Sequence, residues 1–187
     1  MSYSDQLLQG TSLTEQAMLR DFEALSLYYE DMQIPSKTVE ASPAAPLPTL
    51  VAMVDSPEED KPWIFTHSFL PLDNETAEFT KFLQFYCEVP GSLEEIDRLT
   101  LLEGVNRLNQ VLPMGAVLLV EPRPELELPL MAAVRAVQGF PLDRPIDQGV
   151  FTEDMILMEM GCQMVVLLMD ALRAGKTVSE AFDELIQ

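Results

Sequence analysis

His67 is the single histidine of the chain, and Cys87 and Cys162 are its two thiols, so a nucleophile–base pair or a zinc site has to be built from these three. Neither cysteine is near His67 in sequence, and no G-x-S-x-G elbow exists to present a serine. One imidazole and two scattered thiols do not make the usual ligand set of a zinc ion. Met155, Met158, Met160, Met164 and Met169 could offer thioethers to a soft ion such as Cu(I), but they interleave with Ile, Leu and Val at helix-core spacing, which points to packing. The carboxylate pairs Glu94-Glu95, Glu153-Asp154 and Asp183-Glu184 stand at helix starts or on solvated faces, where they cap rather than catalyse. Gly175-Lys176-Thr177 lacks the upstream glycine of a phosphate loop and follows a helix rather than a strand. These residues predict no catalytic centre, no metal and no cofactor.

The elements around them are legible from periodicity. Thr152 to Ala174 reads as one long, nearly all-apolar helix with Thr152 as its N-cap, and Arg173 and Gly175 marking its end. Ile156, Leu157, Met160, Met164, Val165, Leu168, Met169 and Leu172 form a stripe too wide to be covered from one side, so Met160, Met164 and Leu168 are the expected contacts with a second subunit. Ser12 and Glu15 form a capping box before a helix carrying Met18, Phe22, Leu25, Tyr29 and Met32. Ile34-Pro35 stops it, which sets residues 1–35 apart as a helical arm. Residues 36–48, rich in Pro, Ala and Ser, read as a flexible or extended connector. Residues 49–187 then form one domain.

In that domain, Thr49 to Asp55 and Pro62 to Leu70 predict a hairpin around the acidic turn Ser56 to Asp60, with Trp63, Phe65, His67 and Phe69 on one face. A helix is expected from Leu72 to about Pro90 with Phe79, Phe82, Leu83 and Tyr86 on its apolar side. A second is expected from the Ser92–Glu95 box to about Val111. Ala116 to Glu121 pairs with a strand marked by Leu126, Leu128 and Leu130, although Leu130 to Val137 would also suit a helix on propensity. Residues 139–149 read as a loop, and a Thr177–Glu180 box opens a final short helix. This order predicts an α+β fold, an antiparallel sheet packed against helices.

The charge bounds the partners. With 31 acidic against 11 basic residues the formal charge is −20, which repels nucleic acid and anionic membranes. The N-terminus has neither a basic region nor an apolar stretch of a secretory signal, and the expected location is the cytoplasm.

The stretch VNRLNQVLPMG at Val105 to Gly115, the hairpin after it, the Pro- and Asp-rich loop and the segment from Phe151 to Leu185 resemble the bacterial YbjN-like family and, more loosely, the type III secretion chaperones. The resemblance covers residues 47–187 and is a pattern of elements rather than of invariant side chains. It implies a secretion-chaperone-like α+β sheet, frequent dimerisation and no catalytic residues. From it follows the expectation of a non-enzymatic, chaperone-like homodimer that holds a segment of a partner protein. Trp63, Phe65, Leu118 and Leu128 are the candidate partner-binding side chains. The alternative is a structural or regulatory interaction module without client-holding activity.

Overall fold

The computed structural model describes residues 7–42, 46–56 and 62–185. Most of the acidic turn expected at Ser56 to Asp60 lies outside these residues. The elements are α1 (Glu15–Asp31), β1 (Ser36–Val39), β2 (Thr49–Val54), β3 (Trp63–Leu70), the single turn α2 (Asn74–Ala77), β4 (Thr80–Val89), α3 (Arg98–Leu108), β5 (Ala116–Val120), β6 (Met131–Pro141), α4 (Gln148–Arg173) and α5 (Val178–Leu185). The strands hydrogen-bond in the order β1-β2-β3-β4-β6-β5, an antiparallel sheet in an α+β fold. Contacts divide the chain into two compact units, Met1–Tyr86 with Val137–Glu153, and Cys87–Ala136 with Asp154–Gln187. β4, β6 and α4 run from one into the other.

In the first unit the core is an aromatic layer between α1 and the sheet. Trp63, Phe65, His67 and Phe69 alternate inward along β3, because successive side chains of a strand take opposite faces, and all four are buried. α1 answers with Met18, Phe22, Leu25 and Tyr29, each fully buried at the three- and four-residue spacing of one helix face. Phe22 packs on Phe69 with ring centroids 5.2 Å apart. The segment read as an arm thus supplies one side of this core. Its cap is Thr14, whose side chain accepts from the Ala17 N–H, two residues beyond the expected Ser12. Within the stretch read as a connector, Ser36–Val39 is the first strand, in register with β2 from Ser36 opposite Ala52 to Val39 opposite Thr49.

The helix expected from Leu72 is corrected. After Asp73 caps four helical residues, Thr80–Val89 is a strand with strict alternation, Lys81, Leu83, Phe85, Cys87 and Val89 inward. Lys81 at an inward position hid that alternation. Its ammonium is 2.6 Å from Asp21 Oδ2 and donates to the Arg144 carbonyl at 2.7 Å. Both side chains are buried, so the charge is matched where it could not be solvated.

In the second unit α3 starts later than its expected box. Asp97 Oδ2 accepts from the N–H and the hydroxyl of Thr100 and from the Leu99 N–H, and those bonds, the Thr100 pair first, hold its carboxyl below the usual range. Leu101, Gly104, Val105 and Leu108 face inward, whereas Leu99 is 76% exposed. Gly115 turns the chain into β5 at φ +74°, and a Cβ there would stand 2.3 Å from the Arg135 carbonyl oxygen, so only glycine fits. The partner strand begins at Met131 rather than Leu126. Pro124–Leu126 is a 3₁₀ turn closed by the Arg123–Leu128 bridge.

α4 begins at Gln148, so Thr152 is inside the helix. Asp147 Oδ1 accepts from the Val150 N–H at its start. At its end Gly175, φ +80°, donates to the Leu172 carbonyl and Lys176 to the Ala171 carbonyl, the paired bonds of a left-handed closure. The Thr177–Glu180 box forms reciprocally before α5.

Candidate functional site

Three buried polar groups invite a chemical reading, and each is enclosed. His67 is wholly buried, ringed by Tyr29, Phe85 and Phe151 at centroid distances of 5.7, 5.0 and 5.5 Å. Tyr29 Oη hydrogen-bonds its Nε2 at 2.5 Å. Removal from water lowers its pKa from 6.5 to about 3, so the imidazole is neutral at physiological pH. Cys87 and Cys162 are free, buried and in contact, and the hydrogen bond between them together with burial pushes the Cys162 thiol well up, away from thiolate chemistry. Among the described residues no cluster of three or more His, Cys, Asp or Glu is arranged to hold a metal ion.

Accessible concave surface lies along the outer side of α1. α1 is amphipathic, yet its polar side carries Leu19, 41% exposed, and Leu27, 56% exposed. An open groove of about 450 Å³ is lined by Glu23, Ser26, Leu27, Glu30, Gln33, Ile34, Pro35 and Ser36. A second, of about 620 Å³, is lined by Thr14, Gln16, Ala17, Leu19, Arg20 and Glu23. They share Glu23 and follow one another along α1 as a trough; its part toward Ser36 sets Leu27, Ile34 and Pro35 beside the carboxylates of Glu23 and Glu30, and its other part is mostly polar, with Leu19 and Arg20. Gln33, at φ 61°, makes the sharp exit from α1 that delivers Ser36 to the trough's end.

There the trough meets a strand edge. Pro35 O accepts from the Met53 N–H, so Pro35, Lys37 and Val39 direct their backbone groups to β2, and Ser36 and Thr38 direct theirs outward. β1 is the terminal strand of the sheet, and among the described residues its outer side has no neighbour strand. The opposite edge is treated differently. Asn109 Oδ1 accepts from Val117 N at 2.6 Å and its Nδ2 donates to Val117 O at 3.1 Å, so one side-chain amide occupies the start of the β5 edge as a strand residue would.

The side chains expected from sequence to bind a partner divide between the two units. Trp63 and Phe65 are core side chains, 1% and 0% exposed. Leu118 is 39% exposed on β5, and Leu128 is half-buried beside the 3₁₀ turn. Of the expected subunit contacts, Met160 is 46% exposed and Met164 half-buried, while Leu168 is fully buried near Gly104. The sequence signals for this surface are Leu19 and Leu27 on the polar side of α1 and the β-branched pair Thr38-Val39. Comparison with known proteins gives no family-model match, no match among curated proteins and no match among solved structures.

Proposed function

We propose that this chain is a non-catalytic, secretion-chaperone-like protein that holds an extended segment of a partner protein in the trough between α1 and β1. The observation that carries this reading is the coincidence of an open strand edge with an apolar, carboxylate-flanked groove. A segment added to β1 pairs with the outward groups of Ser36 and Thr38, sets apolar side chains on Leu27, Ile34 and Pro35, and turns cationic ones to Glu23 and Glu30. The edge offers two residues, so its backbone bonds, at about 0.5–1.5 kcal/mol each, fix register while burial on Leu27 and Leu19 supplies more of the affinity. The chain's charge of −20 favours cationic segments and keeps the loaded protein soluble.

Selection of peptides from a random display library on the full chain tests this. Binders should be rich in Lys or Arg alternating with apolar residues. They should lose affinity about tenfold or more with Thr38→Pro, which removes an outward N–H without touching the β2 pairing, and with Leu27→Asp. No binder, or binders indifferent to both substitutions, would sink the reading.

A further inference from the structure

α4 has a second apolar face that its own unit leaves uncovered. Met155, Met158, Cys162, Val165, Leu168, Met169 and Leu172 face inward. On the opposite side Ile156, 52% exposed, Met160, 46% exposed, half-buried Met164 and Leu167, 59% exposed, follow at steps of four, four and three residues, and Ala171 continues the line. At a rise of about 1.5 Å per residue the seam from Ile156 to Ala171 is about 22 Å long.

We infer that this seam is a two-fold interface on which α4 of a second copy lies antiparallel. The pattern is complementary to its own reverse. About an axis between Gln163 and Met164, Met160 faces Leu167 of the other copy, and Ile156 faces Ala171, each contact made twice, as an isologous interface requires. Large meets small at the ends and thioether meets leucine in the middle, which lets the helices approach.

Charge selects the direction. Glu153 stands at the N-terminal end of the seam and Lys176 just past its C-terminal end, where it pairs with Glu184, while Arg173 turns back to the Ser92 carbonyl of its own chain. Antiparallel pairing puts each Glu153 beside the other copy's Lys176 and opposes the helix dipoles, whereas parallel pairing puts Glu153 on Glu153. Asp170, on the seam's flank, is already paired with Arg173 at 2.7 Å. By length and composition α4 could also cross a membrane. An interfacial helix, however, carries Lys and Arg beside its apolar face, and α4 has one basic residue in a chain of charge −20. One helix seam covers less than the roughly 800 Å² per partner of a standard interface, so the dimer exchanges with monomer.

The interface stands independently of the trough. Sedimentation of the full chain over a concentration series should show reversible monomer–dimer exchange. Met160→Lys and Leu167→Lys, both on exposed positions, should each raise the dissociation constant about tenfold or more. The double variant Met160→Lys with Leu167→Glu should restore dimer, because the new charges then face each other across the axis. Oxidation with diamide should link Gln163→Cys chains to each other but not Ile156→Cys chains, which need Ala171→Cys opposite. A chain monomeric at every concentration, a dimer unaffected by both lysines, self-linking of Ile156→Cys, or binding to phosphatidylcholine vesicles that Leu167→Lys abolishes in place of dimerisation would each overturn the inference.

Discussion

At the scale of single residues, the buried polar groups set how stability answers to pH. His67 titrates at about 3 in the fold and near 6.5 unfolded. Above pH 6.5 both states are neutral and the group contributes nothing. As pH falls through 6.5 the unfolded chain takes a proton that the folded chain refuses, so stability declines until pH reaches about 3. One pKa unit corresponds to about 1.4 kcal/mol, so the decline is a few kcal/mol in order of magnitude. Urea unfolding of the wild type at about pH 7 and about pH 4 should show this loss, and His67→Gln, less stable at neutral pH, should show a shallower fall. An equal fall in both would assign the acid sensitivity to other groups. The face shared by Trp63, Phe65, His67 and Phe69 is legible from their alternation, but the rings of Tyr29, Phe85 and Phe151 that enclose His67 come from three other elements. Lys81 shows the converse. A lysine every reader places outside sits inward on β4, because Asp21, sixty residues earlier, is there to meet it. No local pattern announces a partner that distant, and the missed alternation turned a strand into an expected helix.

At the scale of elements, legibility followed how local the deciding interaction is. Gly175 and the Thr177–Glu180 box close one helix and open the next through bonds spanning a few residues, and both were readable. The starts of α1, α3 and α4 were displaced by two to five residues because several Ser, Thr and Asp compete for each cap and packing chooses among them. β6 was ambiguous for a related reason. Leu130 to Val137 holds three alanines, at home in helices, and their place in the strand is set by pairing, Ala132 opposite Leu119 and Ala133 opposite Leu118. The edges of the sheet lay further still from view, since edge status depends on strand order. Asn109 makes that difference testable. Asn109→Ala removes both bonds to Val117, a cost of about 1–3 kcal/mol, and uncovers the β5 edge. Denaturant midpoints should fall accordingly, and light scattering on mild heating should rise faster than for the wild type. A variant of unchanged stability and solubility would mean that the amide plug is incidental.

At the scale of the whole molecule, the excess of carboxylates is the dominant electrostatic fact. Paired charges do little to relieve it. Arg98–Glu121, Arg173–Asp170 and Lys176–Glu184 are solvent-facing bridges, a class worth about 0–1 kcal/mol each, and salt weakens them only modestly in absolute terms. Lys81–Asp21 is shielded from ions by burial. What salt does reach is the repulsion among the remaining surface carboxylates, which the compact state concentrates and the unfolded chain dilutes. Raising ionic strength from about 10 mM to about 500 mM shortens the screening length from about 30 Å to about 4 Å, so the melting temperature at neutral pH should rise with sodium chloride. The same screening should strengthen the α4 seam, whose apolar contacts bring two polyanions together, and weaken capture of cationic peptides in the trough. Opposite salt responses of dimerisation and peptide binding therefore separate the two surfaces in one titration. A melting temperature that falls as salt rises would mean that specific ion pairs, not net repulsion, govern this fold.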